Sequence, residues 1–268
     1  MSALVKSPRE IAGIRSAGRI VAETLKTVAT EVRVGVTLRE LSDLCERCVR
    51  SHGATPTFLG YRGFPAPVCV SINNEVVHGI PDSRVLVEGD IVKVDVGVTK
   101  DGFIADAART FGVGRIKPEV RALVAATEES FWLGAAEARA GNRVTDISHA
   151  IQVHVESRGY SSVRDLCGHG VGLKLHEEPS IPNFGPPHRG PTLAAGMTLA
   201  IEPMVNMGRY EVDTTENGWT VVATDGLPSA HYENTVLVTD DGCEILTLVV
   251  PDGRGTLVGT RHGRQRHA

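Results

Sequence analysis

The sequence predicts an α+β protein built from two similar halves. Each half begins with two helical segments, and strand-like segments follow them. A chain that runs from helices to strands, without alternating between them, is typical of the α+β class. The second helical segment of each half also lies between two glycines 18 residues apart, Gly35 and Gly53 in one half and Gly141 and Gly159 in the other. These matching intervals predict an internal duplication.

The start of each helix carries a recognisable signal. Ser7 and Thr37 are each followed three residues later by a glutamate, which is the capping-box pattern. Pro8 and Pro118 suit the first position of a helix, where proline is favoured. Apolar residues then recur at helical intervals along these segments. We therefore expect a helix pair after Ser7 and a second pair after Lys117.

Length and composition suit one globular domain with a large core. The chain has 268 residues, of which 22% are charged and 41% hydrophobic. Its net charge of −4 provides no broad basic field, so we expect no direct contact with nucleic acid. We expect a single domain over residues 1–268, with pseudo-repeats at about 7–112 and 117–249. Residues 251–268 form a basic tail, expected to be a solvated terminus.

Cysteine usage and the N-terminus indicate a cytoplasmic protein. The chain has five scattered cysteines, an odd number without the regular spacing of a disulfide framework. Cys45 and Cys48 form a C-x-x-C pair, but no second pair completes a zinc site, so we expect buried thiols on a helix. The N-terminus lacks the apolar run of a signal peptide, and no apolar stretch is long enough to span a bilayer.

Two acidic residues are predicted to meet across a hairpin. Asp95 and Asp106 lie at equal distances from the middle of residues 99–102, and apolar strand patterns flank those four residues. If the four residues form the loop, the two carboxylates face each other. Like charges in that position are destabilising unless a cation lies between them. An exposed polar face of the sheet is the alternative.

Three further residues complete a candidate metal cluster. Glu202 and Glu233 occur among apolar strand residues, where an acid is rarely buried unless it is paired. His169 lies in a glycine-rich stretch, 168–179, that suits extended backbone better than a helix. Four carboxylates could neutralise two divalent ions. Oxygen ligands with one imidazole favour hard or borderline ions such as Mn, Fe, Co or Zn, and they differ from the ligands of a thiolate site. A glycine-rich loop with surface histidines is the alternative for this stretch.

The motifs together resemble those of the type I methionine aminopeptidases, which have the pita-bread metallopeptidase fold. The resemblance runs from about Ser7 to about Leu248. It is carried by Asn74–Pro81, Val94–Val96, Asp101–Phe103 with Asp106, Gly168–Pro179, Ile201–Met204, Asn217–Thr220 and Tyr232–Thr235. It implies two pseudo-symmetric halves around a central antiparallel sheet covered by helices.

The resemblance also implies roles for individual residues. It makes Asp95, Asp106, His169, Glu202 and Glu233 the ligands of two divalent ions (Co, Mn, Fe or Zn), with Asp106 and Glu233 touching both. The implied catalytic residues are His78, His176 and Glu202, of which Glu202 would move the proton. Asn73 and Ser229 match positions that help hold a monovalent cation.

The same resemblance predicts the methionine pocket. Its walls would be Phe58, Tyr61, Phe64, Cys69, Leu175 and Trp219, with His78 and His176 beside the bond that is cut. The commonest bacterial pattern has Cys in place of Phe58 and Phe in place of Leu175. The two volume changes run in opposite directions, and volume-conserving exchanges are tolerated best. We therefore expect methionine to remain the preferred residue, with the pocket reshaped towards Phe58.

The function implied is removal of the initiator methionine from nascent polypeptides when the second residue is small. We expect the enzyme to work as a cytoplasmic monomer near the ribosome. One alternative is an Xaa-Pro-type aminopeptidase of the same fold, which usually carries an additional N-terminal domain that we do not expect here. The other is a non-catalytic peptide-binding relative. Such relatives lose the metal ligands, whereas all five are present in this chain. The lack of a long insertion in the second half favours type I over type II.

Overall fold

The structure, a computed structural model, describes residues 4–248 and the backbone of residues 256–258. Within these ranges the chain forms four α-helices, α1 (Pro8–Glu31), α2 (Leu38–Ser51), α3 (Pro118–Ala136) and α4 (Val144–Glu156). Both predicted capping boxes are present: the Ser7 and Thr37 side chains accept from the N–H groups of Glu10 and Glu40. In return, the Ser7 and Thr37 backbone N–H groups donate to the side chains of those two glutamates. None of the described helices is both long and apolar enough to cross a bilayer.

One of the two thiols on α2 departs from expectation. Cys45 is buried in the core, as predicted, whereas Cys48 is partly exposed. The two residues are three positions apart, so the second lies towards the edge of the buried face of the helix. The prediction of two buried thiols is therefore right for Cys45 and wrong for Cys48.

The strands pair antiparallel throughout the described residues. In chain order they are β1 (Thr55–Pro56), β2 (Cys69–Ile72), β3 (Glu75–Val77), β4 (Ile91–Lys100), β5 (Phe103–Gly112), β6 (Ser161–Ser162), β7 (Cys167–Gly170), β8 (Glu177–Pro182), β9 (Thr198–Ile201), β10 (Met204–Asn206), β11 (Val212–Thr214), β12 (Val221–Ala223), β13 (Ser229–His231), β14 (Asn234–Val238), β15 (Gly242–Ile245) and β16 (Thr256–Val258). In the first half, β4 pairs with β1, β2 and β5. In the second half, six strands lie in the order β16-β15-β14-β9-β7-β8.

The β4–β5 hairpin has a different register from the predicted one. Its loop is the two-residue turn Asp101-Gly102, because Lys100 pairs with Phe103. Both turn residues have positive φ, 51° and 83°, as a type I′ turn requires. Asp106 therefore lies opposite Gly97, and Asp95 lies opposite Ala108. The prediction that the two aspartates face each other directly is wrong: they are diagonal neighbours on one face of the hairpin.

The strands that carry Asp95 and precede Glu202 lie in two sheets, although the sequence predicted one shared sheet. The sheets meet where β5 approaches the start of β14. There the Glu233 N–H donates to the Ala108 carbonyl at 3.0 Å, and the Ala108 N–H donates back at 3.4 Å. The Asp106 N–H also donates to Thr235 Oγ1 at 2.9 Å. These bonds hold the carboxylate-bearing strands of the two halves against each other.

The two largest apolar clusters of the described residues correspond mainly to the two halves of the chain. One contains apolar residues of α1 and α2 packed on β4 and β5, such as Ile14, Leu41 and Val94. The other contains residues of α3 and α4 packed on the second-half sheet, such as Phe131 and Ile147. Helices thus cover antiparallel sheets in each half, as the predicted fold requires. The boundaries of the two pseudo-repeats stay a prediction.

The predicted basic tail falls almost entirely outside the described residues. Arg254, Arg261, Arg264 and Arg266, on which that prediction rests, are not among them. Of residues 251–268 the structure describes only the backbone of 256–258. That segment pairs with β15, so this part of the tail is a strand and not a frayed end.

Candidate metal centre and peptide cleft

Each of the five predicted ligands lies on a strand or directly next to one. Asp95 is on β4, Asp106 on β5 and His169 on β7. Glu202 directly follows β9, and Glu233 lies between β13 and β14. All five line a single cleft of about 810 Å³. The structure therefore brings together residues that are up to 138 positions apart in the sequence.

The atoms that could bind a metal are close to one another. One possible ligand atom each from Asp106, His169 and Glu233 lie within 4.8 Å of one another, and all three residues are buried. His169 Nε2 is also 3.4 Å from Glu202 Oε1. Separations of this size suit atoms arranged around an ion at bond lengths of roughly 2.0–2.2 Å. Which residue binds which ion stays a prediction.

Burial and mutual repulsion leave the carboxylates in need of a positive partner. Burial raises the pKa of Asp106 to about 7. The pKa values of Asp95, Glu202 and Glu233 are also raised, by burial first and then by the neighbouring carboxylates. One oxygen of Asp95 and one of Asp106 are buried without a hydrogen-bond partner. Buried acids are normally paired, so this cluster fits divalent cations well.

The glycine-rich stretch places His169 with a free nitrogen towards the cluster. A side chain at Gly168 would come within 2.4 Å of the Ala200 carbonyl, so the strands can approach only because that position is glycine. His169 Nδ1 is 2.9 Å from the Gly170 carbonyl, which can only accept, so Nδ1 carries the proton. Burial lowers the pKa of His169 to about 4, which keeps the ring neutral. Nε2 is then a lone-pair donor suited to a metal.

The two other predicted histidines face the same cleft. His176 Nδ1 is 2.7 Å from the Tyr61 hydroxyl, and its ring stands edge-on to His169 with the centroids 4.4 Å apart. His78 has a φ of 58°, a left-handed conformation that is uncommon for a residue with a side chain. Burial is the main cause that lowers the pKa of both His78 and His176. Both rings are therefore neutral near pH 7 and can donate one hydrogen bond each.

The predicted methionine pocket lies beside the cluster and is apolar. All of its predicted residues line the cleft. Phe64 and Trp219 meet edge to face with their centroids 5.2 Å apart, and Cys69 and Leu175 are buried with them in one cluster. The Phe58 ring fills space that a side chain at position 97 would need, because a Cβ on Gly97 would lie 2.5 Å from it. Phe58 is thus a buried wall of the cleft, 7% exposed.

Most of the chain matches a known family of metallopeptidases. A model of metallopeptidase family M24 matches residues 12–240. The chain belongs to this family. The resemblance seen in the motifs is thereby confirmed, and with it the pita-bread fold of the M24 peptidases.

Two methionine aminopeptidases are similar to this M24 protein over nearly their whole length. The chain is 55% identical over 246 residues to a methionine aminopeptidase of Clostridium perfringens, covering 92% of this chain and 99% of that one. A solved methionine aminopeptidase of Thermotoga maritima superimposes with a TM-score of 0.90 at 44% identity, covering 91% and 99% of the two chains. An X-Pro aminopeptidase of the same organism has 22% identity and a TM-score of 0.73, covering 92% and 62%, and shares the fold alone.

A further imidazole, that of His231, lies beside the carboxylate cluster and was not predicted from the sequence. His231 is 1% exposed, and its Nε2 is 3.7 Å from Glu202 Oε2 and 3.9 Å from Glu233 Oε2. Neither of its ring nitrogens has a hydrogen-bond partner within the described structure. The signal that could have found it is its spacing, since His231 and Glu233 are two residues apart at the end of a strand, where alternate residues share a face.

The predicted monovalent-cation residues are adjacent, but their polar groups already have partners. The Asn73 carbonyl accepts from the Ser229 N–H at 3.0 Å and from Lys93 Nζ at 2.7 Å. The Ser229 hydroxyl donates to the Val205 carbonyl at 3.2 Å. Lys93 did not figure in the sequence reasoning, because nothing in its local pattern separates it from an exposed strand lysine.

The raised pKa of Asp106 predicts a pH effect on the metal-free protein. The pKa is about 7 in the folded state against an ordinary value of 3.8, so the fold favours the protonated form. As the pH rises from about 4 to about 7, ionisation must take place against this preference, and stability is lost. Asp106→Asn cannot ionise. In chelator-treated protein, the Tm of this variant minus that of the wild type should increase over this range, and a constant difference would contradict the prediction.

Proposed function

We propose that this chain acts as a methionine aminopeptidase and removes the N-terminal methionine of polypeptides whose second residue is small. The observation that carries the proposal is the contact between an apolar pocket and a cluster of metal-ligand side chains in one cleft. Its 55% identity to a methionine aminopeptidase supports the same reading. Nascent chains would be the substrates, and action as a cytoplasmic monomer near the ribosome remains part of the proposal.

The residues present fit two divalent ions of the Co, Mn, Fe or Zn class. We propose Asp95, Asp106, His169, Glu202 and Glu233 as their ligands, with Asp106 and Glu233 shared. When bound, such ions would polarise the scissile carbonyl, lower the pKa of a water and hold the free amino group. His231 would lie just outside this set and orient the carboxylates of Glu202 and Glu233.

Glu202 is the proposed proton carrier. Its side chain is 13% exposed, compared with 2% for Glu233, so it is the more accessible to water in the cleft. In the metal-free cleft, burial and then the nearby Asp106 raise the pKa of Glu202, so this environment favours uptake of a proton. The proton taken from the attacking water would then pass to the nitrogen of the departing peptide. Proton transfer of this kind typically contributes about 10²–10⁴-fold to the rate.

His78 and His176 would act on the substrate through hydrogen bonds. If the Tyr61 hydroxyl donates to His176 Nδ1, then Nε2 carries the hydrogen and can donate to the oxyanion that forms at the carbonyl. His78 would contact the amide nitrogen of the second residue. Both roles require neutral rings, which agrees with the lowered pKa of each residue.

A single substrate panel separates this proposal from its rivals. Metal-stripped protein would be offered Met-Gly-Met-Met-type peptides and Xaa-Pro peptides, with each divalent metal added back singly. We expect metal-dependent release of methionine and no cleavage before proline. Preferential cleavage of Xaa-Pro peptides would favour an Xaa-Pro-type aminopeptidase. Peptide binding without turnover under every metal would favour a non-catalytic relative.

Phe58 offers a test of the pocket. Because its ring is a buried wall against Gly97, Phe58→Cys should widen the cleft and speed cleavage of peptides with a bulkier second residue. Met-Ala cleavage should change little, since the small alanine side chain does not need the space that the substitution opens. The measurement is kcat/KM across a series of second residues. An unchanged profile would show that Phe58 does not border that part of the substrate.

A further inference from the structure

Lys93 is a buried lysine at a place where a metal ion was predicted. It lies on β4, two residues before Asp95, and is 1% exposed. A lysine is almost never buried to this degree unless its nitrogen has a partner. The partner of Nζ is the main-chain carbonyl of Asn73, at 2.7 Å. The resemblance assigns that same residue, together with Ser229, to a monovalent cation.

The polar groups of Asn73 are all used by the protein. Its carbonyl oxygen has two lone pairs and two donors, Lys93 Nζ and the Ser229 N–H. Its side-chain Nδ2 donates to Asp90 Oδ1 at 2.9 Å, and its Oδ1 accepts from the Ile91 N–H at 3.1 Å. An added ion would have to displace one of these donors to bind the carbonyl.

The charges around Lys93 also disfavour a second cation. Burial lowers its pKa to about 7, while Glu75 and Asp90 act in the opposite sense. Whether Nζ is an ammonium or an amine, it has N–H bonds to donate and fills the space beside the carbonyl. A monovalent ion would meet a like charge in the first case and an occupied position in both. The residues present therefore do not fit the predicted ion.

We propose that the Lys93 side-chain nitrogen takes the place of the monovalent cation at Asn73 and Ser229. The strands that these residues join would then need no added sodium or potassium. Asn73 precedes β3 and Ser229 begins β13. Lys93 donates to the same carbonyl at which the first half also bonds to the segment that leads to Glu233. This inference concerns the packing around β4, the strand that carries Asp95, and it does not depend on which peptide the cleft accepts.

The wild-type protein provides the first arm of the test. Its Tm would be measured in sodium, potassium and choline chloride at the same ionic strength, with the divalent metal held constant. We expect the three Tm values to coincide, because Nζ already fills the site. A saturable rise in Tm with sodium or potassium, and not with choline, would overturn the proposal.

Two variants form the second arm. Lys93→Ser removes the side chain and opens space for an ion, whereas Lys93→Met fills the same space without a donor. Both should melt below the wild type in choline chloride. Sodium or potassium should raise the Tm of Lys93→Ser by on the order of 2–4 °C and leave Lys93→Met unchanged. Equal responses of the two variants would contradict the proposal, and if neither folds, the wild-type arm decides it.

Crystals soaked in rubidium chloride give a readout that does not depend on stability. Rubidium is a monovalent ion with a measurable anomalous signal. We expect an anomalous peak beside the Asn73 carbonyl in Lys93→Ser and none at that position in the wild type. A peak in the wild type would show that the lysine and an ion are bound together, which the proposal excludes.

Discussion

Replacing Asp106 or Glu233 with Ala should abolish peptide hydrolysis and lower the metal content of the purified protein. Both carboxylates are buried at the junction of the two sheets, at 4% and 2% exposure. Each lies within ligand distance of His169, and Glu233 also belongs to the group formed with Glu202 and His231. Loss of either side chain therefore removes an oxygen that both predicted ions would share. The measurements are methionine release and elemental analysis of dialysed protein.

The control for this prediction is a buried carboxylate outside the cleft. Asp146 is 8% exposed and accepts bonds from the Arg143 and His188 N–H groups at the start of α4. Asp146→Ala should cost roughly 1 kcal/mol through loss of a helix-terminal bond. It should keep both metal and activity. Full metal occupancy in Asp106→Ala would sink the ligand assignment, whereas metal loss in Asp146→Ala as well would show that the assay reports unfolding.

A second effect of the same substitution distinguishes a metal site from a structural acid pair. In the metal-free protein burial raises the pKa of all four carboxylates, and neighbouring carboxylates raise those of Asp95, Glu202 and Glu233 further. Removing one of them should make the metal-free form more stable while making the loaded form less stable. An acid that stabilised the fold directly, as Asp146 does, would destabilise both forms when removed. The reversal of sign on adding metal is therefore specific to the cluster.

The candidate ligands could be found in the sequence because they are charged residues in apolar surroundings. Glu202 and Glu233 are acids in apolar strand sequences, and a buried acid needs a partner wherever it occurs. The helix starts were equally accessible, since a capping box uses residues three positions apart. Both signals are local. The predicted helix starts are confirmed by the geometry of α1 and α2. The structure brings the candidate ligands together in one cleft, and their role in metal binding stays a prediction.

The hairpin register was accessible but was read wrongly. Asp101-Gly102 is the strongest short-range signal for a two-residue turn, because both central residues of a type I′ turn need positive φ. Treating four residues as the loop moved the strands by two positions. Since a shift of two keeps each side chain on its own face, Asp95 and Asp106 still share a face, and the metal prediction survived the error.

His231 and Lys93 were missed for different reasons: the spacing of His231 from Glu233 is visible in the sequence, whereas the contact that Lys93 makes is not. Both are polar residues in apolar strands, and each lies close to a group from another part of the chain, Asn73 for Lys93 and Glu202 for His231. Lys93 meets the carbonyl of Asn73, which is 20 positions away, and a main-chain atom leaves no trace in residue identity. The division into two sheets is similar: it depends on the backbone bonds between Ala108 and Glu233, 125 positions apart, which no local pattern encodes.

The three histidines of the cleft should separate into two classes when each is replaced by Ala. His169→Ala should lose metal, because its Nε2 is the nitrogen turned towards the carboxylates and lies 3.4 Å from Glu202. His78→Ala and His176→Ala should keep metal and lose mainly kcat. Their proposed bonds are to the substrate, and removal of one donor to an oxyanion typically costs on the order of 10²–10³ in rate.

Two further variants make the separation of the histidines sharp. His52→Ala removes an exposed histidine that directly follows α2 and pairs with Glu23 on the surface, and it should change neither metal content nor rate. Tyr61→Phe keeps the His176 ring but removes the hydroxyl 2.7 Å from its Nδ1, so His176 is no longer held in one tautomer. That variant should lower kcat less than His176→Ala does and leave metal binding intact. Equal metal loss in the three cleft variants would refute the separation, because it would mean that the rings support the fold of the cleft and not distinct steps of the reaction.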